Sequence, residues 1–529
     1  MEIPEVGILT TKQRQDFKVP GKESEISDDI VEGSMQRRIS RLWPLGVLLL
    51  SSIGLLSCGG GGSSSAPAPS SPPVSVTYSN ASLNGQYAFT FSGVTNGSVE
   101  AAAGTFTADG AGNLSAGIED LNAPNGPYLQ MNFTGTYSIG PDGRGSATIS
   151  NSLGTITFKF VMTTSKHAVV VAFDNSDIGT GSVDLQDPTA FSTSALKGGY
   201  TFGLIGSDSS FNPIAIAGEF SADGAGHISN GLEDVNDNGT ISNQSFSGSY
   251  SVDFTGRGTA AFSLGGTSTN YAFYVISSNQ LDFVEIDSYP PLAGTVYQQQ
   301  GSSFSNASLS GNHVFILSGL SLSQGSIVGG GLFLADGSGN ISSGTEDEND
   351  YGSVSTDNPI TGTYSIAADG RGTASLSVGG QPVNLTFYMI SNGSAEFIET
   401  TPSNGMIVLG EISAQQGAPF STATLKGHYA FLDSGFFIGG SSFASTGQVI
   451  ADGNGGLGGQ EDLNDGGSLM PSLGLTGNYS ISSSGRGTAS INNSQGTSTY
   501  IIYVVSPTEI LFIGEDTSDV ELGFATYQY

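Results

Sequence analysis

From Tyr78 onward the chain alternates short runs of apolar, aromatic and β-branched residues with clusters of Gly, Asn, Asp and Pro. Between Tyr78 and Pro188 the runs fall near 85–92, 100–108, 113–121, 130–139, 144–151, 154–162, 168–173 and 178–186. The breaks recur at the roughly 8 to 12 residue spacing of all-β domains. They include Asp109-Gly110-Ala111-Gly112 and Pro141-Asp142-Gly143, residue types that supply the backbone conformations of hairpin turns. No window after residue 57 keeps a helical period. The pattern predicts an all-β fold of sequential antiparallel hairpins. Eight strands in so short a stretch close most simply as an up-and-down barrel, which leaves no long edge unpaired. A seven-stranded immunoglobulin-like sandwich is the alternative.

The same pattern returns. "FTGTYSIGPDGRGSATIS" (133–150) recurs as "FSGSYSVDFTGRGTAAFS", "ITGTYSIAADGRGTASLS" and "LTGNYSISSSGRGTASIN". Its arginines, Arg144, Arg257, Arg371 and Arg486, are 113, 114 and 115 residues apart, a period of whole domains rather than solenoid turns. The segments "TAFSTSALKG", "SSFSNASLSG" and "APFSTATLKG" mark the joins. Four tandem meander domains are expected at 78–188, 189–301, 302–417 and 418–529. In strand number and order they resemble small lipocalin-like or avidin-like barrels.

A second recurring feature is an acidic pair: Glu119-Asp120, Glu233-Asp234, Glu346-Asp347 and Glu461-Asp462. Simple strand parity from Leu114 through Ala116 and Ile118 puts Asp120 on the apolar side and Glu119 outside. Repeats two and three keep that phase, while repeat four, one residue shorter between Leu457 and Asp462, breaks it. Tight hairpins place Arg144 and Glu119 toward opposite ends of one domain. The arginine then either holds carboxylates at its own turn, such as Asp109 or Asp142, or reaches the opposing end of a neighbouring domain. Asp234, Asn236 and Asn238 start like a calcium loop, in which alternate oxygens and a Gly wrap the ion, although Ser245 stands where the closing Glu belongs. An Asx-type hairpin turn accounts for the same residues without metal. Calcium is the one cofactor the sequence suggests.

Charge and catalytic inventory narrow the function. After Ser57 there are eight basic and 39 acidic residues, which excludes nucleic acid as a partner, since its recognition needs clustered Lys and Arg. Charged residues are 12% of the chain and Gly 78 of 529, a turn-rich chain with few surface ion pairs. His167, His227, His313 and His428 occupy four different positions in their repeats. A shared general base cannot be built from them, and the expectation is a protein that is not an enzyme.

The N-terminus adds an address. Met35 to Arg41 is a basic n-region, Leu42 to Leu56 an apolar stretch too short to span a bilayer, and Leu55-Leu56-Ser57-Cys58 ends it. These residues resemble the lipobox of bacterial lipoproteins. The resemblance implies a signal peptide at 35–57, lipidation of Cys58 and attachment to an envelope membrane, the outer one if the cell has it. Residues 1–34 read as a mis-assigned extension ahead of the true start at Met35, and 58–77 as a Gly/Ser/Pro tether. The first functional expectation is a membrane-anchored lipoprotein with a structural or adhesive contact role. The alternative is a multivalent binder of small apolar ligands, favoured if the barrels enclose cavities of a few hundred cubic ångströms rather than filled cores.

Overall fold

The computed structural model describes residues 77–529 except 288, 403 and 404. Cys58, the signal segment and the tether lie outside the described residues. The chain forms four closed eight-stranded antiparallel barrels. In barrel 1 the strands are β1 (Asn84–Thr95), β2 (Ser98–Asp109), β3 (Asn113–Asn122), β4 (Tyr128–Ile139), β5 (Arg144–Ser150), β6 (Thr155–Thr164), β7 (His167–Ala172) and β8 (Asp177–Leu185), with β8 pairing back onto β1. Barrels 2, 3 and 4 repeat this order from Lys197 to Gln298, Ser310 to Ala414 and Lys426 to Tyr527. The barrel reading holds and the sandwich does not.

Local chemistry closes each barrel at one end. A short 3-10 turn precedes the first strand, at Asn80–Ser82, Thr193–Ala195, Asn306–Ser308 and Thr422–Thr424. The tyrosine of the recurring motif fastens it: Tyr137 donates its hydroxyl to the carbonyl of Leu83 at 2.7 Å, and Tyr250, Tyr364 and Tyr479 each do the same to Leu196, Leu309 and Leu425 at 2.6 Å. At this end the turn after the second strand is held by Asp109, whose Oδ1 accepts from the N–H groups of Ala111 and Asn113 at 2.7 and 2.9 Å. Gly110 and Gly112 supply positive φ of 73° and 112°, where a side chain would be strained. The opposite end of each barrel carries the remaining loops and forms its mouth.

Strands 4 and 5 alternate buried with exposed residues, as a sheet with one wet face should. Strands 1, 2, 6 and 7 instead bury both faces. Their inner residues build one core per barrel, and their outer residues build four further apolar clusters between barrels. Ala88, Ala101 and Ala103 of barrel 1 meet Ala272, Tyr274 and Val284 of barrel 2, and Val161, Val169 and Val171 of barrel 1 meet Ala430, Leu432 and Ala444 of barrel 4. The first strands of one barrel thus pack on the last strands of the next, and barrel 4 packs on barrel 1. A heterologous contact repeated with a rotation that returns to its start makes a ring. Here the ring lies within one chain.

Candidate functional site

The acidic pair and the arginine meet across the ring joints. Arg257 of barrel 2 donates through Nε and Nη2 to both oxygens of Asp120 in barrel 1, at 2.6 and 2.9 Å. Arg371 grips Asp234 at 2.7 and 2.8 Å, and Arg486 grips Asp347 at 2.8 and 2.7 Å. A tyrosine hydroxyl completes each: Tyr274, Tyr388 and Tyr503 donate to the same three carboxylates at 2.7, 2.6 and 2.6 Å. These charge-assisted forks, on carboxylates that are buried in all three joints, fix the angle between barrels. The fourth joint is different. Arg144 gives its Nε to its own Asp142 at 2.9 Å and brings Nη1 only to 3.5 Å from Asp462, while Val161 stands where the other joints have tyrosine.

Two residue types whose recurrence the sequence reading did not single out seal every joint. The asparagine two places after each Asp crosses to backbone carbonyls of the next barrel: Asn122 to Glu285, Asn236 to Glu399 and Met406, Asn349 to Gly514, Asp516 and Asp519, and Asn464 to Ala172, Asp174 and Asp177. A glutamine beyond the last strand does likewise: Gln186 to Val275, Gln299 to Asp369 and Met389, Gln415 to Ser484 and Val504, and Gln528 to Asp142 and Met162. Their recurrence at equivalent positions was the available signal. The structure therefore uses Asp234 and Asn236 as joint residues, and Asn238 sits at a turn with φ 50°. Among the described residues no group of three or more His, Cys, Asp or Glu side chains is arranged to hold a metal ion.

The strand phase corrects the expected orientation of the acidic pair. In repeat one the register slips between Thr105 and Thr107, with Ala116 bulged at φ 51°. Repeat two bulges likewise at Asn230, φ 53°, and repeat three slips at Leu334. A one-residue bulge reverses the facing of the strand residues beyond it. Repeat four lacks the extra residue and runs without a slip. All four repeats consequently turn Asp outward to a joint and Glu into the barrel.

The barrel interiors differ. Barrel 1 holds a cavity of about 570 Å³ open at its mouth; that of barrel 3 is about 670 Å³ and that of barrel 4 about 90 Å³. Barrel 2 is filled by aromatic rings, with Phe246 on Phe262 at 4.6 Å, Phe273 on Phe283 at 4.9 Å and Tyr271 on Phe262 at 5.1 Å. Where barrel 2 has Phe262, Tyr271 and Phe283, barrel 1 has Ile149, Phe158 and Val170. The deep part of the barrel 1 cavity is apolar. Toward the mouth it carries Glu119, which accepts from Asn151, and Glu100, which is 7% exposed. Burial, with Asp177 and Glu119 nearby, pushes the Glu100 carboxyl up to about 8. Burial raises Glu119 as well, against the hydrogen bond from Asn151.

The histidines assemble no catalytic set. His167 pairs with Asp184 at 2.7 Å, but the Ser182 hydroxyl lies on that carboxylate at 2.9 Å rather than on the imidazole. His313 stacks on Phe333 at 5.0 Å, and burial lowers its pKa to about 4. His227 is exposed beside the turn residue Asp223.

No protein-family model matches the chain, and no curated protein does. Among solved structures, transferrin binding protein B of isotype 1 from serogroup B Neisseria meningitidis aligns with a TM-score of 0.21 and 9% identity over 67% of this chain and 81% of that one. The intact Ap-TbpB, with N and C lobes, aligns at 0.19 and 10% identity over 68% and 84%. A variant of transferrin binding protein B from Haemophilus parasuis Hp5 aligns at 0.17 and 8% identity over 87% and 98%.

Proposed function

We propose that this chain is a non-enzymatic binding protein of the bacterial envelope: a ring of four barrels, tethered through lipidated Cys58, in which barrels 1 and 3 each take a small apolar molecule. The observation that carries this reading is the pair of cavities, about 570 and 670 Å³, within the range of small-ligand sites. A hollow of that size, lined by Phe, Leu and Ile and open at its mouth, presents apolar surface that a ligand would cover. Barrels 2 and 4 serve as frame. The contact role expected from sequence belongs to the ring's outer strands, and the four arginine joints account for its recurring charges internally. Titration of the full chain with N-phenyl-1-naphthylamine, which fluoresces in apolar surroundings, tests the binding role: saturation near two probes per chain is expected, and no saturable signal overturns it. Anchoring is tested by Cys58→Ala, which should release the protein from the membrane fraction; retention there contradicts the lipoprotein reading.

A further inference from the structure

The barrel 1 cavity has a polarity that an apolar-ligand site does not need. Its deep half is walled by Phe89, Phe160 and Val170, and its mouth half holds Glu100, Glu119, Asp174 and Asp177. No Lys, Arg or His lines it. Glu100 is nine-tenths buried, and among the described residues its carboxyl has no hydrogen bond to the protein. Glu119 has only the Asn151 amide. The T-shaped pair Phe91 and Phe158, 5.8 Å between centroids, lines the same cavity, and aromatic faces attract cations.

We propose that the ligand of barrel 1 is an amphiphilic organic cation, its ammonium head between Glu100 and Glu119 at the mouth and its apolar body in the aromatic interior. The proposal rests on the cavity being a ligand site and names the class of ligand. An unpaired buried carboxylate is costly, and a bound cation supplies its missing counter-charge. A neutral ligand leaves Glu100 protonated, and an anion meets four carboxyl groups. The chain's charge of -32 further draws cations toward it.

Binding is then linked to protons. Glu100 faces Glu119 from β3, Asp177 from β8 and Tyr289 from barrel 2; none is a cation. A bound ammonium displaces the Glu100 proton, so affinity for the cation rises with pH through the Glu100 pKa of about 8, while affinity for a neutral analogue stays level.

Calorimetric titration of the full chain with decyltrimethylammonium, decanol and decyl sulfate, each below its aggregation concentration, separates the possibilities. The barrel 1 component is the one lost when Ile149→Phe and Val170→Phe fill the cavity. For that component the cation should bind at least about tenfold tighter than decanol and tighter at pH 9 than at pH 6. Glu100→Gln should bring the cation to the decanol level and leave decanol unchanged, which also reports a folded barrel. Equal binding of cation and decanol, or a cation preference that survives both Glu100→Gln and Glu119→Gln, overturns the charge assignment and leaves the apolar site standing. Failure of all three probes overturns both.

Discussion

Barrels 1 and 2 share strand number, turn chemistry, the tyrosine-fastened plug and the joint that links them, yet one is hollow and the other solid. Interior positions that separate them include Ile149 against Phe262, Phe158 against Tyr271, Val170 against Phe283, Ala102 against Ile216, Ala168 against Leu281 and Glu100 against Ile214. Both barrels have the same small residue, Ala147 or Ala260, next to these positions. Closure is therefore set by the backbone ladder and the plug, and the interior is free to be filled or left open. In this molecule closure is carried by the frame, and capacity for a ligand is a matter of side-chain size.

The largest expected effect breaks the solid barrel. Phe262→Ala removes a ring that touches Phe202, Phe246, Tyr271 and Phe283 and should cost about 3 to 5 kcal/mol. Phe158→Ala in barrel 1, whose ring already borders empty space, should cost less than half of that; denaturant titration of both variants makes the comparison. Equal losses would mean that barrel 1 is as tightly packed as barrel 2.

The shared frame is tested next. Asp120→Ala strips Arg257 and Tyr274 of their common carboxylate in a buried joint and should cost about 3 kcal/mol. Asp462→Ala, at the joint where Arg144 stands 3.5 Å away, should cost about 1 kcal/mol. If the two cost the same, the ring-closing joint is as strong as the others despite Val161.

A smaller effect is the pH dependence. Burial raises the inward carboxyls Glu100 and Glu346 to about 8 and Glu233 and Glu461 to about 7, from 4.5. The folded chain thus holds more protons than the unfolded chain between those values, and its stability falls as pH rises through 7 to 8. The turn residues Asp109 and Asp223 act oppositely: hydrogen bonds within their own turns hold them at about 2, below 3.8, so stability is lost as pH falls through that interval. The melting temperature should peak near pH 4, between the two unfolded values of 3.8 and 4.5. Glu100→Gln should flatten the alkaline limb, and a melting temperature that rises from pH 6 to 9 would contradict the burial of these groups.

Much of the fold is legible in the sequence because it rests on local signals. Period-two runs and Gly/Asp turns place the eight strands of barrel 1 near their observed bounds, and the repeat spacing gives the other three barrels. The outward turn of Asp120 is not legible, because Ala116 occupies a bulge that no local residue preference announces. Repeat four, which looks out of phase, is the regular one. The joints are partly legible: Arg and Asp recur, but their pairing runs between repeats. The hidden cue is the doubly apolar strand, such as Tyr271-Ala272-Phe273-Tyr274, where Phe273 faces the core and Tyr274 the neighbour. The cavities are least legible, since they depend on side-chain size at a few wall positions, such as Val170 against Phe283 and Ala102 against Ile216.

Probe stoichiometry in the filled variant tests the central claim most directly. The native chain should bind two molecules of N-phenyl-1-naphthylamine, one for each large cavity. The chain with Ile149→Phe and Val170→Phe, which places two of the barrel 2 wall rings in barrel 1, should bind one and melt no lower than the native chain. Two probes still bound by the folded variant would show that the apolar sites lie elsewhere on the ring and would contradict the account.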